Sequence, residues 1–204
     1  MLMLMHSRCR FDINGLTMRT PADTLIVLDG RYPVVYSAEE SPLVCDWVCF
    51  DAEDCGVPLW EDNSTEDTWC LGSKYWANNY QPKGSKPMFG ILLDMVGGQG
   101  AQFYQEGMSR QYAPSVVDRV WRAAHAAGYS GYFPMAVGGS ITDDHLPVNE
   151  KAGIPTIDII PYYPQCEASS FGPTWHTVLD DLQHIDKNTL KAVGQTIIQV
   201  LLTE

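Results

Sequence analysis

The sequence predicts an α/β domain built on a mostly parallel sheet, and three observations carry that prediction. Short continuous apolar runs alternate with segments of helical periodicity, and clusters of glycine and proline follow the runs directly. The chain of 204 residues is also the size of one large domain with a substantial core. Continuous rather than alternating apolar runs suit strands covered on both faces, and strands alternating with helices give a layered sandwich.

In chain order, Trp47-Val48-Cys49-Phe50 is the first clear apolar run, and acids follow it at once. Met88 through Val96 is a longer run bounded by Gly97-Gly98, and Ile154 through Ile160 is a third. Val116, Val117, Val120, Trp121, Ala124 and Ala127 recur at helical spacing, with Pro114 near the start and Gly128 as a stop. Leu190, Val193, Ile197, Ile198 and Leu201 mark a second helix at the C-terminal end. Gly97-Gly98-Gln99-Gly100, Gly138-Gly139-Ser140 and the stretch from Pro161 to Pro173 read as loops. Residues 1–45 read differently from all that follows and are set apart as an atypical N-terminal segment, with the domain proper over 46–204.

Composition narrows the function. Lys and Arg number 13 against 25 Asp and Glu, a formal net charge of −12, so neither a phosphate-tracking basic face nor a nucleic-acid partner is expected. No run reaches the roughly 18 apolar residues of a membrane span. Met1 through Met5 meets His6, Arg8 and Arg10 at once, so no signal peptide is expected. The six cysteines show no repeated close pair; they are expected to be reduced and mostly buried.

In open α/β sheets ligands collect at the carboxyl ends of strands, which makes acids there the first candidates for chemistry. Asp51, Glu53 and Asp54 follow the first run. Neighbouring carboxylates can divide duties, one holding a metal while the other moves protons, although a solvated acidic turn has the same composition. Asp94 is a lone acid inside an apolar run and needs a partner to offset its desolvation. Asp143, Asp144 and His145 follow Gly138-Gly139; a helix start capped by Thr142 or Asp143 is the plainer reading. His176 stands in a polar loop beside Trp175, and His125 is expected on a helix surface. Together these groups supply carboxylate and imidazole ligands suited to zinc, with carboxylates left for acid–base work.

Five segments in this order resemble the zinc exopeptidase family of co-catalytic zinc aminopeptidases and of the animal-type and Bacteroidetes glutaminyl cyclases. They are Phe50-Asp51-Ala52-Glu53-Asp54-Cys55-Gly56, Thr68-Trp69-Cys70-Leu71-Gly72-Ser73, Gly90 through Gly98, Gly138 through His145, and Trp175-His176-Thr177. The resemblance covers about residues 46–204 and implies the three-layer α/β sandwich of that family, with a mixed, mostly parallel sheet. It implies Zn2+ as cofactor, with Asp54 and His176 as ligands and Glu53 as general acid/base. Asp94 and Asp143 would form the acidic network of a cyclase; in a two-zinc aminopeptidase Asp94 would itself be a ligand. The Glu-Asp pair with Asp-Asp-His resembles the cyclases more, so the implied substrates are peptide or protein N-termini, with N-terminal glutamine closed to pyroglutamate. Trp175 would wall the substrate cleft. Such cyclases are typically exported to the periplasm; the oligomeric state stays open.

The family also carries a His-x-Asp segment and an Asn-Asp segment upstream, and residues 1–45 hold neither, so no role passes to Asp12, Asp23 or Asp29. Gly15-Leu16-Thr17-Met18-Arg19 can be encoded by GGG CTA ACG ATG CGG, which from its third base reads Ala-Asn-Asp-Ala. The N-terminal part is therefore expected to be missing or altered, a frame-shifted start to an otherwise recognisable domain. An inactive remnant that binds peptide N-termini is the reading from another class.

Overall fold

In a computed structural model of the chain, the residues described are 48–50, 52–53, 68–81 and 86–203, with the backbone of five strands between residues 2 and 38. The chain divides into two compact units, Met1–Trp76 and Ala77–Glu204.

In the first unit, β1 (Leu2–Met5) pairs antiparallel with β4 (Thr24–Val27). A second sheet places β2 (Cys9–Ile13) between β3 (Leu16–Thr20) and β5 (Val34–Ala38), both antiparallel to it. Val48–Phe50, expected as a strand, has no ladder. Ala52 sits at φ 53° and turns the chain out of the extended path directly afterwards. Helix α1 (Leu71–Asn79) begins after Cys70 and carries the chain across the division between the units.

In the second unit, β6 (Gly90–Leu93) and β7 (Thr156–Ile159) pair in parallel, Gly90 opposite Thr156 and Leu93 opposite Ile159. A Cβ on Gly90 would come within 2.6 Å of the Thr156 hydroxyl, so only glycine permits this approach. Helix α2 (Gly107–Tyr112) is followed directly by α3 (Pro114–Ala126), which has Pro114 in its first turn and Gly128 at φ 86° beyond its end. A short helical turn α4 (His145–Pro147) runs into a wider turn over Val148–Ala152. Helix α5 (Lys187–Leu202) closes the unit and packs on α3.

The periodic residues of α3 face inward as expected: Val116, Val117, Val120, Trp121 and Ala124 are buried with Phe103, Phe133, Ile157, Ile159 and Val200. Trp121 meets Phe133 edge-on at 5.5 Å and donates its indole N–H to the Pro134 carbonyl at 3.1 Å. His125 lies on the exposed side of α3, where its Nε2 is 2.8 Å from the Phe133 carbonyl oxygen. Helices stacked on a parallel strand pair are the α/β layering the sequence predicts. Among the described cysteines Cys70 is buried, Cys49 and Cys166 are half-buried, and none of the three is in a disulfide. No helix among the described residues is long and apolar enough to cross a membrane.

Candidate active site

The site of the second unit is assembled at the carboxyl end of the strand pair. Asp94 follows β6, its amide donating to the Ile159 carbonyl at 3.2 Å and so prolonging the ladder by one rung. Met95 next to it sits at φ 51°, a left-handed conformation that side chains other than glycine adopt only at a cost. Such positions cluster at functional sites, and His176, at φ 55°, is another.

A second segment, 103–107, lies alongside 132–139. Phe103 N donates to Tyr132 O, Gln105 N to Ala136 O, and Gly107 N to Gly139 O at 2.8 Å. This pairing fixes the Gly138-Gly139 loop against the start of α2 and delivers Asp143, Asp144 and His145 to the interior, all at most 5% exposed. The expected helix cap is not formed. Asp144 occupies the position before α4 without a side-chain cap, while Asp143 Oδ1 accepts the Asp144 amide at 2.5 Å. The helical turn here is too short for its dipole to organise the acids, and burial governs them instead.

Burial acts first on Asp143. Loss of water, then the neighbouring charges of Asp94 and Asp144, push its carboxyl up to about 7, against the downward pull of the Asp144 amide and of contact with Asp158. The expected pair Asp94 and Asp143 is thus brought together. Asp158 on β7 is completely enclosed; burial and the charges of Asp143, Asp94 and Glu106 hold its carboxyl well above the ordinary range. Two carboxyls in contact, both pushed toward the protonated form by burial and by neighbouring charge, can hold and pass protons.

Two members of this cluster, Glu106 and Asp158, lie outside the residues expected from sequence. Asp158 carries the same signal as Asp94, a lone acid within Ile157-Asp158-Ile159-Ile160. Glu106 has no such sign. It caps α2, its Oε1 accepting from Met108 N at 2.7 Å and its Oε2 from Ser109 N at 2.5 Å and Ser109 Oγ at 2.7 Å. Burial pushes the Glu106 carboxyl up, but His145, the Ser109 hydroxyl and these amides outweigh that and hold it at about 2.

Glu106 also touches a cavity of about 200 Å³ lined by Tyr104, Ile141, Ile160, Tyr162 and Phe171 among others. Phe171 leads on to Trp175 at 5.1 Å, and Trp175 stacks on His176 with ring centroids 4.0 Å apart. Trp175 is half-buried and His176 exposed. Stacking covers one face of the His176 ring and leaves the ring edge, which carries both nitrogens, uncovered by the indole.

Glu53 lies in the first unit, half-buried; its backbone carbonyl accepts from Cys70 N at 3.1 Å, and the Cys70 thiol approaches its carboxylate at 3.9 Å. Asp54 and Asp51 fall outside the described residues.

Comparison with known proteins places these features in context. The profile of peptidase family M28 matches residues 48–201. The glutaminyl cyclase of Tannerella forsythia is 49% identical with a TM-score of 0.75, over 81% of this chain and 57% of that one. The glutaminyl cyclase of Bacteroides thetaiotaomicron, solved with N-acetylhistamine, is 48% identical with a TM-score of 0.75, over 81% and 56% respectively. A Zn-dependent exopeptidase from Parabacteroides distasonis is 44% identical with a TM-score of 0.75, over 81% and 57%. The chain therefore spans little more than half the length of these solved relatives.

Proposed function

The chain belongs to peptidase family M28 and shares its zinc exopeptidase fold, and from that premise we propose that its chemistry is the closure of N-terminal glutamine to pyroglutamate with release of ammonia. The observation that carries the reading is the enclosure of Asp143, 5% exposed, near the half-buried Asp94 that follows β6, where burial and the Asp94 charge push the Asp143 carboxyl up to about 7. Cyclisation moves one proton, because the amine that attacks must lose a proton and the amide nitrogen that leaves must gain one, and an acidic network beside the reacting amide keeps donor and acceptor aligned for that transfer.

In this reading the neutral α-amine attacks the side-chain amide carbon of glutamine. The new C–N bond closes the ring, the old C–N bond breaks, and the amine proton passes to the departing nitrogen. Glu53 carries that proton, and Asp94 with Asp143 hold the polar network that orients the reacting amide. The aromatic wall from Phe171 to Trp175 encloses the glutamine side chain, and fixing amine and carbonyl in reach of each other supplies much of the acceleration. Asp54 and His176 are assigned as zinc ligands, two of the three protein ligands that catalytic zinc takes. Zinc held there supplies Lewis-acid polarisation of the carbonyl. The substrates are peptide or protein N-termini.

The test uses the purified chain with zinc, a Gln-peptide and a Leu-anilide, with bound zinc measured in parallel. Ammonia release from the Gln-peptide alone is the expected result. Leu-anilide cleavage instead would assign a zinc aminopeptidase, and no turnover at substoichiometric zinc would leave a peptide-binding remnant.

A further inference from the structure

Distant segments of the chain converge on one imidazole. His145 is fully buried, with Nε2 3.3 Å from Glu106 Oε2 and Nδ1 3.9 Å from Asp158 Oδ2. The Ser109 hydroxyl closes the circuit, donating to Glu106 Oε2 at 2.7 Å and accepting the Asp158 amide at 2.9 Å. Neither ring nitrogen of His145 completes an aligned hydrogen bond, so enclosure between the two carboxylates holds the ring. Placing a histidine and two acids this deep costs more than filling the same volume with apolar side chains. Stability therefore gives no reason for the cluster, and its position does.

Glu106 reaches Asp143 by two routes. Along the chain, its Oε1 accepts the Ile141 amide at 3.1 Å, two residues before Asp143. Through space, it faces His145, which faces Asp158, which touches Asp143. We propose that Glu106 and His145 are positioning residues that, through Asp158 and the Ile141 amide, hold Asp143 in the geometry and protonation that cyclisation uses. The inference rests on the cyclisation reading above. Within the second unit the charged groups acting on Asp143 are Asp94 after β6, Asp144 beside it and Asp158 on β7; Glu106, at the head of α2, acts through Asp158.

Removing the Glu106 charge lowers the proton affinity of the Asp143–Asp158 pair, since a nearby anion favours the neutral acids. The experiment compares wild type, Glu106→Gln, Glu106→Asp and His145→Gln in the full chain, with circular dichroism to establish folding. Carboxyl 13C titration of the labelled aspartates is read beside kcat and KM on a Gln-peptide. In Glu106→Gln the pair titrates at lower pH, the pH profile of kcat moves the same way, and kcat falls roughly tenfold or more with KM little changed. Glu106→Asp restores most of both. His145→Gln also lowers kcat, and the double variant is no worse than the poorer single one, as expected of residues acting as a unit.

A pair that titrates as in wild type when Glu106 is Gln overturns the proposal, as does full additivity of the two substitutions in kcat. If Glu106→Gln does not fold, Ser109→Ala removes only the bridging hydroxyl; an unchanged aspartate titration there overturns it equally. Should the wild-type chain release no ammonia, the cyclisation reading fails by itself, and the carboxyl titration still decides whether Glu106 governs Asp143.

Discussion

The rings of Trp175 and His176 stack with centroids 4.0 Å apart and planes 21° from parallel, on a backbone that takes His176 into the left-handed region. The stack fixes the plane in which the imidazole nitrogens lie. Trp175→Ala is expected to release the ring, lowering zinc affinity about tenfold, in the range seen when a ligand loses its outer support. His176→Ala should lose zinc altogether. Zinc retention by equilibrium dialysis checks both, and undiminished zinc in His176→Ala would remove that residue from the ligand set.

Glu53→Gln keeps the size of the side chain and removes its proton-carrying capacity. Turnover of the Gln-peptide is expected to fall by roughly 100-fold or more, with bound zinc unchanged. Retained turnover would take Glu53 out of its assigned role.

Stability should depend on pH through Asp143. Its carboxyl is raised from an ordinary 3.8 to about 7 in the folded state. Across that interval the folded chain keeps a proton that the unfolded chain has released, so stability falls as pH rises from about 4 to about 7. Asp158 is raised in the same direction. Asp143→Asn removes its own contribution, so Tm measured between pH 5 and pH 8 should decline less steeply than in wild type. Parallel slopes would contradict the assignment.

Gly107 and Ser140 test how the Asp143 loop is held. A Cβ added at Gly107 would lie 2.0 Å from Ser140 Oγ and 3.1 Å from Ser140 Cβ, so Gly107→Ala must push the loop away from α2. Activity is expected to fall on the order of 100-fold as Asp143 shifts, and the second change Ser140→Gly should recover part of it. A single variant as active as wild type would show that the loop tolerates displacement.

Local pattern made much of the second unit legible. The helical spacing from Val116 to Ala124 gave both the existence of α3 and its inward face, because a helix repeats its buried side every few residues whatever surrounds it. The apolar runs around Gly90–Leu93 and Thr156–Ile159 were readable for a similar reason. Val48–Phe50 was not, since whether an extended run finds a ladder depends on a partner that its own residues do not specify. The cap proposed for Asp143 failed likewise: composition marks a cap, but burial decided where the carboxyl pointed.

The family, the layered α/β character and the strand-end acids, among them Asp94 and Asp143, are legible in the residues alone, because they reside in short stretches whose residues act on their neighbours. That Glu106 and Asp158 join them follows from contacts between distant segments. Ser109 Oγ meets the Asp158 amide across 49 positions of sequence, and Glu106 meets the Ile141 amide across 35. Such meetings follow from sheet register, the pairing of 103–107 with 132–139, and the close approach that Gly107 permits. The resulting shift of proton affinity arises from burial and the sum of nearby charges, which no single segment carries.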